Sequence, residues 1–217
     1  MEISTSLLNV NEEKIVKTIY DLEVAHTDYF HIDVMDGRFV ENDTSEKMRK
    51  FAEYLNQITN IPMDVHLMVT NIKEYIDSYL IFNPHIITFH YEACKNKEEV
   101  EKYISYIKEN NCKVGLAIKP NTKIEEIKEF LPKLNLLLIM SVEPGKGGQV
   151  FIPQTISKIK EATVVIEELN LETEIEVHGG INLENSKKLK EEGTNIAVAG
   201  TAIIGSKDYK YTIKNMK

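Results

Sequence analysis

The chain has 217 residues, 42% hydrophobic and 28% charged, with a formal net charge of −8. That length suits one large domain over residues 1–217, and the acidic balance argues against nucleic acid or anionic lipid as a partner. Cys94 and Cys112 lack metal-type or redox-type spacing, and MEISTSLLNV at the start has neither the basic nor the apolar segment of a signal peptide, so the expectation is a cytoplasmic protein with no membrane partner.

Short apolar runs rich in β-branched and aromatic residues recur in the order EISTSLL, YFHIDVM, PMDVHLMV, HIITFHY, KVGLAI, NLLLIMSV, EIEVH and NIAVAG, which predicts eight strands. Charged segments with helical spacing lie between them, with Ile15, Ile19 and Leu22 on one face in the first and Val100, Ile104 and Ile107 in the fourth. Asn11 precedes the first helix, and Pro153 is expected at the first position of the helix after the sixth strand. Alternation of strand and helix predicts right-handed crossovers and a parallel sheet covered on both faces. Eight units of about 27 residues match an α/β fold closed as a single (β/α)₈ barrel. The rival, an open doubly wound sheet, usually has fewer strands and often a glycine-rich first turn that is missing here.

In such a barrel the chemistry gathers at the C-terminal ends of the strands. Alternation puts His31, Asp33 and Met35 on one face of the second strand, pairs His66 with Met68 on the third, and presents His178 at the end of the seventh. Imidazoles with a carboxylate form a borderline-hard ligand set, suited to one divalent ion of zinc, iron, manganese or cobalt. His26 and His85 stand apart, and His90 reads as structural.

Glycines follow the late strands: Gly147 and Gly148 in PGKGGQ, Gly179 and Gly180 after the seventh, Gly200 with Thr201 after the eighth. Loops of this kind make phosphate sites from backbone amides. A cation beside a phosphate pocket points to a phosphorylated keto sugar or polyol, whose carbonyl and neighbouring hydroxyl the cation polarises while a base removes the proton between them. Met35, Met68 and Met140 supply soft walls near that centre or fill the core.

The ordered set TSLLN, HIDVMDGRFVEN, MDVHLMV, GLAIKPNT, MSVEPGKGGQVFI, VHGGIN and VAGTAI resembles the ribulose-phosphate 3-epimerase family over almost the whole chain. The resemblance implies a (β/α)₈ barrel that interconverts D-ribulose 5-phosphate and D-xylulose 5-phosphate. It also implies a divalent metal held by two histidines and two aspartates, the aspartates acting as acid and base. Carried over by position, His31, Asp33 and His66 become metal ligands, Asp33 one acid/base group, and Ser6 a substrate contact. Gly147, Gly148, Gly180, Gly200 and Thr201 become the phosphate cradle, and the three methionines shield the reacting carbon. A homo-oligomer, dimeric or hexameric, is a further expectation.

The pattern departs where the family has V-D-G-G: the second catalytic aspartate is replaced by His178. Glu41 stands for the usual proline, Lys119 for asparagine and Lys146 for phenylalanine. One carboxylate can hold a metal and take a proton, whereas imidazole bound through one nitrogen turns the other away. The sequence therefore leaves open an active epimerase with His178 as acid/base, an enzyme for another keto-sugar phosphate such as allulose 6-phosphate, and a catalytically weak binding relative.

Overall fold

The computed structural model describes residues 1–217 and closes the expected barrel. Its strands are β1 (Glu2–Ser6), β2 (Tyr29–Met35), β3 (Met63–Met68), β4 (Ile86–His90), β5 (Lys113–Ile118), β6 (Leu136–Met140), β7 (Glu174–His178) and β8 (Ile196–Ala199). All pair in parallel in chain order, and β8 returns to β1, so no edge is left for another chain to extend. The main outer helices are α1 (Ile15–Val24), α2 (Ser45–Ile58), α3 (Ile72–Leu80) and α4 (Lys97–Glu109), then α5 (Ile124–Ile127), α6 (Thr155–Glu168), α7 (Ser186–Glu191), α8 (Thr201–Ile204) and α9 (Tyr209–Met216).

Alternation along each strand divides the core in two. One face of the strands, with Ile32, Val34, Val65, Leu67, Phe89 and Leu116, packs under the helices in one continuous cluster. In α4 the buried residues are Val100, Tyr103, Ile104 and Ile107, each full burial of an aliphatic side chain contributing roughly 1.5–3 kcal/mol. The helix starts on Asn96, whose side chain accepts the Glu99 N–H at 2.9 Å, and beyond its end Asn111 takes φ 57°. Asn83 and Asn170 repeat that left-handed stop after α3 and α6.

The inner face is unevenly furnished. Ile86, Ala117, Leu136, Leu138, Met140 and Ile196 form a separate apolar cluster there, while β1, β2, β3 and β7 supply Ser4, His31, Asp33, Asp64, His66 and Glu176, all buried. Room inside is tight: a Cβ on Gly115 would lie 2.2 Å from Thr88 Oγ1.

Two sequence expectations shift. Pro153 lies in a turn, its carbonyl accepting the Ile156 N–H, and α6 begins two residues later at Thr155. Asn11 caps a short 3₁₀ turn (Glu12–Lys14) that leads into α1, accepting the Glu13 N–H at 2.9 Å.

Candidate active site

Register along β2 and β3 sets Asp33 beside His66 and Met35 beside Met68, and across the barrel it sets Met140 beside His178. Their side chains meet at the C-terminal mouth. Around Asp33 Oδ1 stand His31 Nε2 and His66 Nδ1, each at 3.3 Å, and His178 Nδ1 at 3.7 Å. One donor atom from each of the four residues lies within 4.8 Å of the others. His31, Asp33 and His66 have fully buried side chains; that of His178 is 16% exposed.

The protonation states of Asp33, His66 and His178 suit a cation, and His31 would give up its Nε2 proton to join them. Burial opposes ionisation of Asp33, but the surrounding His178, His31 and His66 hold its carboxyl well below the usual range. Burial pushes His66 down to about 4 and His178 down to about 3, so both are neutral and keep a lone pair. Two of the converging atoms, His31 Nε2 and His178 Nδ1, are buried without any hydrogen-bond partner. An unsatisfied buried group costs about 1–3 kcal/mol, and a divalent cation among these atoms would satisfy both. The donor set therefore fits a metal.

A second polar layer lies beneath. His31 Nδ1 is 2.5 Å from Asp64 Oδ2, which also accepts the Ser4 hydroxyl at 2.8 Å. Burial and the neighbouring Asp64 push the Glu176 carboxyl well above the usual range, so it keeps its proton at neutral pH. With Nδ1 committed to Asp64, the His31 ring turns Nε2 towards the centre. Burial opposes protonation of His31, yet Asp64 and Asp33 together raise it well above the ordinary imidazole range. Asp64 and Glu176 escape notice in the sequence, although the alternation that selects His66 and His178 puts them on the same inward face.

Above the centre opens a cavity of about 260 Å³ lined by Ser6, Asp33, His178, Met35, Met68 and Met140, with the glycine loops at its rim. Ser6 Oγ donates to Asp33 Oδ2 at 2.7 Å. Gly147, Gly148, Gly180 and Gly200 line the same cavity, and their amides donate to no acceptor in the chain. Gly180 has φ 66°, and a Cβ there would sit 2.4 Å from the Phe151 nitrogen, so the close approach of the two loops requires glycine. Gly179 also lines the cavity, and its carbonyl accepts the Ser141 hydroxyl at 2.6 Å. Thr201 Oγ1 accepts from Asn9 Nδ2 at 3.0 Å, a contact with no sequence signal.

Over the mouth, Lys146 Nζ and Glu41 Oε2 pair at 3.2 Å, and Asn42 Nδ2 donates to the Gly145 carbonyl at 2.6 Å. Two departures from the family pattern thus meet each other. Another, Lys119, lays its ammonium 4.4 Å from the centre of the Phe39 ring. No helix is long and apolar enough to cross a membrane.

Fold and site together define a barrel enzyme with imidazoles and a carboxylate at its C-terminal mouth, facing a glycine-rimmed cavity. Residues 2–204 match the model of the ribulose-phosphate 3 epimerase family, and the chain belongs to that family. It is 36% identical over 215 residues to the ribulose-phosphate 3-epimerase of Escherichia coli (strain K12), covering 99% of this chain and 94% of the relative. It is 35% identical over 218 residues to that of Bacillus subtilis (strain 168), covering 100% and 98%. The chloroplastic ribulose-5-phosphate-3-epimerase of Arabidopsis thaliana is 35% identical over 99% of this chain and 75% of the relative. Among solved structures, a 3-hexulose-6-phosphate synthase superposes with TM-score 0.74 at 11% identity, covering 100% of this chain and 98% of that one. A 3-keto-L-gulonate-6-phosphate decarboxylase from Vibrio cholerae gives 0.73 at 12%, covering 99% and 94%. At such identity these two establish the barrel only.

Proposed function

We propose that the protein interconverts D-ribulose 5-phosphate and D-xylulose 5-phosphate through an enediolate, with Asp33 and His178 as the two acid/base groups. The observation that carries this reading is that both line one cavity with the glycine loops, Asp33 buried and His178 partly open. His31, Asp33 and His66 would hold a divalent cation, zinc, iron, manganese or cobalt by their donor chemistry, and His178 completes the set when no substrate is bound. When bound, the cation supplies polarisation of the substrate's carbonyl and adjacent hydroxyl.

The chain's residues divide the remaining work. Gly147, Gly148, Gly180, Gly200 and Thr201 offer amides to the phosphate, which fixes the sugar's reach into the barrel. Met35, Met68 and Met140 exclude water around the reacting carbon. Asp33 takes the carbon 3 proton through Oδ2, the oxygen turned from the imidazoles and tuned by Ser6. His178 serves the opposite face. To serve as acid, His178 would have to stand free of the cation, take up a proton to become imidazolium, and return to neutral imidazole on giving that proton to carbon 3. Its exposure and its longer distance to Asp33 support its being the member that yields.

The test is NMR of D-ribulose 5-phosphate with protein and Zn²⁺ or Mn²⁺ in D₂O. Deuterium at carbon 3 together with D-xylulose 5-phosphate is expected. Exchange without conversion would leave only the Asp33 face active, and neither outcome with this substrate but turnover of allulose 6-phosphate would move the function to a hexulose phosphate.

A further inference from the structure

Behind His66 a hydrogen-bonded line of side chains runs outward from the centre. His66 Nε2 is 2.9 Å from Nε2 of the fully buried His90, and His90 Nδ1 is 3.1 Å from Glu92 Oε2. The other Glu92 oxygen accepts the Lys119 N–H at 2.7 Å and the Thr122 hydroxyl. Lys158 Nζ in turn binds the carbonyls of Lys119, Pro120 and Thr122 at 3.1, 2.6 and 2.6 Å, so the Glu92 end is anchored in the β5–α5 turn.

Proton counting leaves this line one direction. Burial opposes ionisation of Glu92, but His90, Thr122 and the Lys119 amide hold it down to about 2, so it only accepts. The single proton of a neutral His90 ring then belongs on Nδ1, the nitrogen that faces this accepting carboxylate. Its Nε2 is left as an acceptor, and the facing nitrogen of His66 must be the donor. The reverse order would need a protonated Glu92, whose other oxygen already accepts two donors, or a second proton on His90, a charge that its complete burial opposes.

We propose that Glu92 and His90 are positioning residues that fix the His66 tautomer, with the proton on Nε2 and the Nδ1 lone pair directed at the centre beside Asp33. A ring without this support would choose between a proton on Nδ1, drawn by Asp33 at 3.3 Å, and the productive form. The inference rests on the reading that His66 holds the cation, and it gives the structural reading of His90 a specific task.

The test uses the full-length metal-free protein labelled with ¹⁵N at histidine. Long-range ¹H–¹⁵N correlation near neutral pH is expected to show His66 protonated at Nε2 and His90 protonated at Nδ1. Competition of Zn²⁺ between protein and chelator is expected to show roughly 10- to 100-fold weaker binding in His90→Phe, with the affinity largely restored in His90→Gln, whose amide oxygen can accept from His66. Wild-type His66 protonated at Nδ1, or a folded His90→Phe with unchanged tautomer and Zn²⁺ affinity, overturns the proposal. If His90→Phe does not fold, the wild-type tautomers and the affinity of His90→Gln decide. Should His66→Ala bind Zn²⁺ as tightly as wild type, it is the metal reading of His66 that fails, separately from the tautomer.

Discussion

Ser6 Oγ and Asp33 Oδ2 are joined across the adjacent strands β1 and β2 by a buried 2.7 Å hydrogen bond. The bond leaves Asp33 Oδ1 to the imidazoles and, on the proposed mechanism, orients Oδ2 for proton transfer. Ser6→Ala removes a hydrogen bond to a charged group, a loss of about 1.5–3 kcal/mol, and is expected to lower kcat/KM roughly 10- to 100-fold. Metal content should stay at the wild-type level; joint measurement of kinetics and bound metal checks this.

His178→Ala should stop conversion while the Asp33 face still exchanges the carbon 3 proton with solvent. The fall in conversion is expected at about 10²- to 10⁴-fold, the range of one general acid/base group. His178→Asp should restore conversion in this barrel. Equal loss of exchange and conversion in His178→Ala would show instead that the residue's main task is to hold the centre together.

Gly115 and Thr88 form a sterically exclusive pair inside the barrel, since a Cβ on Gly115 would meet Thr88 Oγ1 at 2.2 Å. Gly115→Ala should destabilise the protein by about 1–3 kcal/mol through overpacking. Thr88→Ala in the same chain should recover most of that loss, because the Thr88 hydroxyl has no hydrogen-bond partner to forfeit. Denaturant unfolding of the two single variants and the double variant measures the coupling.

In the metal-free protein, burial holds His66 at about 4 and His178 at about 3, below the 6.5 of a free imidazole. The unfolded chain binds protons there that the folded chain refuses, so these groups reduce stability as pH falls below about 6.5. His31 and Glu176, both raised well above their ordinary values, act in the opposite sense, but His90 is lowered with the other two and makes three groups against them. The expected net result is a lower Tm near about pH 5 than near about pH 7, measurable by thermal melts after chelation.

The Lys146–Glu41 pair over the mouth is largely solvated, with side chains 63% and 86% exposed, so breaking it should leave Tm unchanged. Lys146→Ala should instead raise KM for the phosphorylated substrate a few-fold at low salt and converge with wild type at high salt. A KM difference that persists in high salt would mean direct contact with the substrate.

Much of this was legible in the chain because a parallel barrel buries both faces of every strand and leaves periods that can be read. Alternation in FHIDVM and DVHLM placed His31, Asp33 and His66 together correctly. The same parity also marks Asp64 and Glu176, yet charged residues in a strand read as solvent-facing until the barrel's interior is known to be polar on that side. His90 showed no role in the sequence for a related reason: its neighbours, His66 and Glu92, become partners only through strand pairing and the turn after β4. The start of α6 slipped past Pro153 because proline suits a turn as well as a first helical position.

The two halves of the barrel supply different things. His31, Asp33 and His66, with His90 and Glu92 behind them, come from β2, β3, β4 and the turn that follows, whereas His178 and the rim glycines come from β6, β7, β8 and the loops after them. A nascent chain thus leaves the ribosome with His31, Asp33 and His66 first and its rim glycines last. The early segment has no closed wall against which to aim its imidazoles until β8 zips onto β1. If these residues hold a cation as proposed, its tight capture becomes a sign that the ring has closed.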